Sequence, residues 1–176
     1  MGNYIKLSRI IVLFVMLVLC SAVLFSCSAN ETALNLNLKN LADIITEKLG
    51  LSEDDILEYS PEQIKTFYGI SDENAVQIIV IKKFDISNIS NAEVLILVEA
   101  ADKDKAKEIE NNLKEYKAYK LRELKDYTVN PDNERQYYIV DGADIIVNQQ
   151  YVFWAVFTES KEISDIISDY IKNNSK

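Results

Sequence analysis

The 176-residue chain contains no histidine, and its two cysteines, Cys20 and Cys27, both lie near the N-terminus. Glycine occurs four times, at Gly2, Gly50, Gly69 and Gly142, and proline twice. Each shortage excludes something. Without histidine, and without a cysteine beyond position 27, there is no Ser–His or Cys–His nucleophile and no ordinary zinc ligand set. Four scattered glycines cannot build a GxGxxG turn or a phosphate-cradling loop. Positive charge is also in deficit, with 19 Lys+Arg against 28 Asp+Glu. Lys6 and Arg9 are the sole charged residues of the first 26, so the remainder sets 17 basic residues against 28 acidic ones, a net charge of −11. Such acidity repels nucleic-acid phosphates and anionic headgroups, so nucleic acid is discarded as a partner. No cofactor and no metal site is expected. Carboxylate-only and Ser–Lys chemistries remain open. The length suits one domain.

Long apolar runs are confined to the N-terminus. A short basic segment, residues 1–9, precedes 16 near-continuous apolar residues from Ile10 to Phe25. As a helix this run would span about 24 Å, short of the ~30 Å hydrocarbon core of a bilayer. It ends in Leu24-Phe25-Ser26-Cys27, which resembles the lipobox of bacterial lipoproteins. That resemblance implies diacylglycerol on the Cys27 thiol and cleavage between Ser26 and Cys27. Phe25 departs from the usual smaller residue, and Leu19 is too large to make Cys20 the alternative. An uncleaved anchor or a plain secretory signal would also place the domain outside the cytoplasm, because the basic residues stay inside. The expected organisation is a signal peptide over 1–26, a polar tether over 27–37, one domain over 38–172 and a short tail over 173–176.

Within the domain, Leu34, Leu38, Leu41, Ile45 and Leu49 recur at helical spacing and predict a helix over 37–49 closed by Gly50. Ser52-Glu53-Asp54-Asp55 opens a brief turn. Ser60-Pro61-Glu62-Gln63 carries a capping box with proline at the first helical position, and Gly69 suits the left-handed stop. Strands are predicted over 75–82 and 92–100, both rich in β-branched residues. A long charged helix follows over 102–125, with Ala106, Ile109, Leu113 and Tyr116 inward. Asn130-Pro131-Asp132-Asn133 breaks the chain. A strand is expected over 136–140, then a hairpin of 143–148 and 151–157 turning at Asn148-Gln149-Gln150. A last helix covers 160–172.

Shifting Val94, Val98, Ile109 and Leu113 by 58 positions lands on Val152, Val156, Ile167 and Ile171. This suggests a duplicated strand–strand–helix unit. The predicted fold class is α+β, an antiparallel sheet of four to five strands packed on two or three helices, with its other face partly open.

Phe67-Tyr68-Gly69-Ile70, Ser90-Asn91-Ala92-Glu93-Val94 and Gln150-Tyr151-Val152-Phe153 resemble segments of a family of small lipoproteins of Gram-positive anaerobes that carry a domain of unknown function. The family commonly shows Tyr-Gly-Ile, Ala-Glu-Ile and Gly-Asn-Tyr at similar places. Gln149-Gln150 departs from the last of these. The resemblance covers about 38–172 and implies a location and a rough fold, with no activity.

Ten tyrosines are the unusual feature of the composition. A rigid apolar ring with a polar tip suits recognition surfaces, and equally suits the edge of a core. Tyr59, Tyr68, Tyr116, Tyr119, Tyr127, Tyr137, Tyr138 and Tyr151 are the candidates for a patch. With Glu93 at a strand entrance, Tyr68 and Tyr151 are the residues singled out for an interaction surface. Glu53, Asp54, Asp55 and Glu58, and separately Asp132, Asn133 and Glu134, carry calcium-type oxygen atoms without the spacing of a calcium loop, and solvated helix-start charge accounts for the first group. Glu93 with Asp141 or Asp144 would make a carboxylate pair if they faced one another. Trp154 lies in a strand apolar on both sides and reads as core. Lys103, Lys105, Lys107, Lys114, Lys117 and Lys120, interleaved with acids, read as a solvated helix face.

These readings favour a lipid-anchored, extracytoplasmic module on the cell membrane that binds a protein, peptide or envelope component, over a small carboxylate- or Ser–Lys-dependent hydrolase of cell-wall or extracellular material. An open apolar face would support the first, and convergent carboxylates in a cleft the second.

Overall fold

The computed structural model describes residues 34–84, 91–126 and 131–175. The expected signal peptide, the Ser26–Cys27 cleavage site, lipidation at Cys27, most of the tether, Ser90 and Tyr127 lie outside them. No helix among the described residues is long and apolar enough to cross a membrane.

The chain enters the fold at Leu34. Leu34 and Leu36 are buried although they fall in the expected tether, so the polar stretch gives way to core four residues before the first helix. Helix α1 (Leu38–Leu49) begins where the Asn37 side chain accepts from the Asn40 amide at 3.0 Å, and ends at Gly50 with φ 64°. A single tight turn, Glu53–Asp55, leads into the two-residue strand β1 (Ile56–Leu57). Helix α2 (Pro61–Tyr68) carries the expected capping box, Gln63 N–H to Ser60 Oγ at 3.3 Å and Ser60 N–H to Gln63 Oε1 at 2.8 Å. It stops at Gly69 with φ 65°. Strands β2 (Ala75–Lys83) and β3 (Val94–Ala100) precede the long helix α3 (Lys103–Asp126). Helix α4 (Pro131–Gly142), the hairpin β4 (Ile145–Asn148) and β5 (Tyr151–Val156), and helix α5 (Ser160–Asn174) complete the domain.

Residues 136–140, expected as a strand, belong to α4, and Pro131 begins that helix instead of marking a loop. Its sequence is weakly amphipathic and rich in strand-preferring residues, so tertiary contacts decide. The buried Gln136 side chain accepts from the Ala92 amide at 2.9 Å. Lys117 of α3 places its ammonium on the last carbonyls, Asp141 O at 2.9 Å and Ala143 O at 2.8 Å. A cation on those orphan oxygens also favours the helix dipole.

The five strands form one antiparallel sheet in the order β1-β2-β3-β5-β4, and the fold is α+β. Strand alternation divides the core in two. Val94, Ile96, Val98, Val152, Trp154 and Val156 pack with α2, α3 and α4 on one face. Leu95, Leu97, Tyr151, Phe153 and Ala155 pack with α1, α5 and the Leu34–Leu36 segment on the other. The second face is therefore covered, and the partly open sheet face expected from the sequence is absent. It is closed by the two helices that begin and end the described chain, whose apolar stripes need a partner as much as the sheet does.

Of the proposed duplication, the correspondence of β3 with β5 holds, while β2 shifted by 58 falls in helix α4 and the helix correspondence fails. Val94 lies opposite Val156, Val98 opposite Val152 and Ile96 opposite Trp154, so a shift of 58 exchanges β3 and β5 about a local two-fold normal to the sheet. Such an axis keeps a helix on its own face. Ile109 of α3 and Ile167 of α5 belong to opposite faces.

Candidate functional site

The first face does more than pack. Tyr59 ends the loop before α2, Tyr68 ends α2 itself, and Tyr116 and Tyr119 lie along α3. These four tyrosines come together with Phe67 and Trp154. Ring centroids run Trp154–Tyr116 6.1 Å, Tyr116–Tyr68 4.8 Å, Tyr68–Tyr59 6.3 Å and Tyr59–Phe67 5.7 Å, with Tyr119 branching 6.5 Å from Tyr116. The chain of rings thus leads from the sheet to the surface, where Phe67 is 46% and Tyr119 55% exposed. Edge and tilted contacts of this kind add to the burial of the rings themselves. Between α2 and α3 the rings line a groove of about 570 Å³, whose polar members include Asn112, Glu115 and Arg122.

The backbone at Gly69 sets that geometry. A Cβ there would sit 2.6 Å from Asn112 Nδ2, and φ is positive, so only glycine lets α3 approach so closely. The Gly69 carbonyl accepts from Asn112 Nδ2 at 3.1 Å and from the buried Asn74 at 3.0 Å.

Beneath the groove lies a smaller polar cavity of about 130 Å³ that shares Tyr68 and Tyr116 with it. Lys82 and Lys120 line it, along with Tyr59. Lys82 falls in register with Ile78 and Val80, opposite Val94, at a position where alternation calls for an apolar residue. Its ammonium donates to the carbonyls of Asn91 and of Glu93, the latter at 3.2 Å. Burial, and then the neighbouring Lys120, lower its pKa to about 8, against a smaller upward pull from Glu93. Lys120 is 16% exposed in its side chain and pairs with Glu123 at 3.0 Å. Burial raises the Tyr59 and Tyr68 hydroxyls above the usual phenol value and pushes Tyr116 up to about 12.

Of the three residues singled out from the sequence, Tyr68 belongs to this site. Tyr151 does not. It is fully buried on the opposite face, where its hydroxyl donates to Leu34 O at 3.3 Å and accepts from Leu36 N–H at 3.1 Å. Glu93 is buried too, paired with Lys83 at 3.0 Å and hydrogen-bonded to Asn91. That engagement removes it from any interaction surface. Asp141 and Asp144 are exposed, and none of the three carboxylates lines the groove or the cavity. Asp55 is engaged in capping Ser52, at 2.9 Å to its amide and 2.6 Å to its hydroxyl.

Sequence reasoning missed the two lysines. Lys117 and Lys120, read as part of a solvated face, turn toward α4 and the cavity, while Lys105 and Lys114 do form helix-surface pairs with Glu108 and Glu110. The available signal was spacing. Lys82 continues the Ile78–Val80 alternation, and Lys120 continues the Ile109–Leu113–Tyr116 stripe.

Comparison with curated proteins and with solved structures finds no match. One family model matches residues 51–157, a span from the turn before β1 to the end of β5 that includes every residue of the groove and cavity. The chain belongs to that family, described as Domain of unknown function (DUF4358).

Proposed function

We propose that the protein is a lipid-anchored extracytoplasmic module that binds a protein or peptide partner through the aromatic groove between α2 and α3. The observation that carries the binding part is the continuous path of rings ending in exposed Phe67 and Tyr119. Rigid aromatic side chains offer a large contact area at small conformational cost, and polar neighbours such as Asn112 and Arg122 supply orientation. The anchoring part rests on the apolar run that closes in Leu24-Phe25-Ser26-Cys27. The acidic remainder suits a domain held close to an anionic surface without adhering to it.

The test is photo-crosslinking in intact cells from Phe67 or Tyr119, with a control probe at Val147, an exposed position on the edge strand β4. Mass spectrometry of the mature N-terminus and a Cys27→Ala variant accompany it. The same adduct at positions 67 and 119, absent at 147 and lost with Cys27→Ala, is expected. Equal labelling at all three positions would overturn the binding surface, and an unmodified Cys27 the anchor.

A further inference from the structure

The cavity beneath the groove has a chemistry of its own. Lys82, Lys120 and three tyrosines line about 130 Å³ of largely polar space, with the Tyr68 hydroxyl hydrogen-bonded to those of Tyr59 and Tyr116. Among the described residues no carboxylate forms an ion pair with Lys82, whose charge rests on backbone carbonyls, while Glu93 is turned to Lys83. Lys120 already has Glu123 at 3.0 Å, so the buried charge without a carboxylate is that of Lys82, and burying it beside a second ammonium is costly unless a counter-charge arrives. The phenols remain protonated donors across the physiological range, since burial raises all three. Lys82 and Lys120 both keep partial exposure.

We infer that this cavity binds a compact oxyanion, a sulfate, phosphate or carboxylate group, held by the ammonium groups of Lys82 and Lys120 and by the one hydroxyl proton that the Tyr59–Tyr68–Tyr116 chain leaves free. Charge-assisted hydrogen bonds in a partly desolvated site are the strong kind. The volume admits the oxyanion group itself and little more. The inference stands apart from the anchor and from the groove's partner, because its readout is a purified domain with a small ion.

Binding is linked to protonation. An anion stabilises the Lys82 ammonium, which faces Tyr116 and Lys120, with Glu123 paired to it, from α3, Tyr59 and Tyr68 from the α2 segment, and Glu93 from the entrance of β3. Occupancy therefore raises the Lys82 pKa above its free value of about 8. Affinity for sulfate, whose own charge is constant, should be flat below that pH and fall above it, by up to about the tenfold that one charge-assisted contact is worth.

The experiment is titration of the purified domain with sodium sulfate against a chloride control of equal ionic strength. Amide resonances and the Lys82 side-chain shift are followed by NMR from pH 6 to 9.5. Saturable shifts at Tyr68, Lys82 and Tyr116 and a sulfate-dependent rise of the Lys82 pKa are expected. Lys120→Met should weaken binding by about tenfold, the worth of one charge-assisted contact, and Lys82→Met should also flatten the pH profile. Inorganic phosphate and glycerol phosphate separate the sources: binding of the ester too supports a group on a larger solute, and of the ion alone a free anion. Shifts no larger than chloride produces, or an unmoved Lys82 pKa in the unsubstituted protein, would overturn the site whether or not the variants fold.

Discussion

The two faces of the sheet are built from alternate residues of the same strands and have opposite characters. The face under α1 and α5 is closed. Its strand residues are Leu95, Leu97, Phe153 and Ala155, and the hydroxyl of Tyr151 is consumed by the Leu34–Leu36 backbone. The face under α2, α3 and α4 keeps a cavity with two lysines and a path of rings to the surface. The family match ends before α5 and begins after α1, so it takes in the layer that carries the site and omits the two helices that seal the other face. A small sheet can devote one side to packing and leave polar groups on the other when the first supplies enough buried apolar surface.

The comparison breaks most visibly at Phe153. Phe153→Ala should lower unfolding free energy by about 3–5 kcal/mol through lost burial and a residual cavity, read by urea denaturation, with sulfate shifts at Tyr68 retained in the folded fraction. A cost below that of an exposed substitution would mean the second face is not the stabilising one. Next is Tyr151→Phe, which leaves the Leu36 amide without its partner and the Leu34 carbonyl with Gln150 Nε2 alone. About 1–2 kcal/mol is expected, with faster hydrogen exchange at Leu36; unchanged exchange would contradict the pinning of that segment.

Lys82 sharpens the contrast through pH. Its folded pKa of about 8 lies below the ordinary 10.5, so the unfolded chain binds more protons between those values. The penalty for burying the charge is full below about pH 8, and stability attributable to Lys82 rises as pH climbs toward 10.5. The stability difference between Lys82→Met and the unsubstituted protein should therefore shrink between pH 7.5 and 9.5. A pH-independent difference would refute the perturbed amine. Smallest is Tyr119→Ala, at a 55% exposed ring. It should change stability by no more than about 0.5 kcal/mol while abolishing the crosslink at position 67. The reverse pattern would make Tyr119 structural.

Much of this was legible beforehand, for identifiable reasons. Strands β2, β3 and β5 show in their β-branched content, and the two apolar sides of Tyr151–Phe157 mark an interior strand. The stop of α1 is spelled out by Gly50, and the start and stop of α2 by Ser60, Gln63 and Gly69. Helix α4 was not legible, because Gln136-Tyr137-Tyr138-Ile139-Val140 prefers extended structure locally and is held helical by Ala92 and Lys117 from elsewhere in the chain. Nor was the closure of the second face, since apolar stripes on α1 and α5 announce burial without saying against which side. For the site, Tyr68 was visible. Tyr151 and Glu93 misled because a polar tip or charge at a strand entrance looks the same whether it meets solvent or a buried partner.

Leu34 and Leu36 are clasped at the tip of the β4–β5 hairpin. Gln149 Oε1 accepts from Leu34 N–H at 3.3 Å, Gln150 Nε2 donates to Leu34 O at 3.4 Å, and Tyr151 bonds both residues. Mechanical load arriving along the chain from residues before Leu34 is thus delivered to β5, a strand bonded on both sides, and not to α1 alone. A pull would have to break these side-chain hydrogen bonds before it could unravel α1.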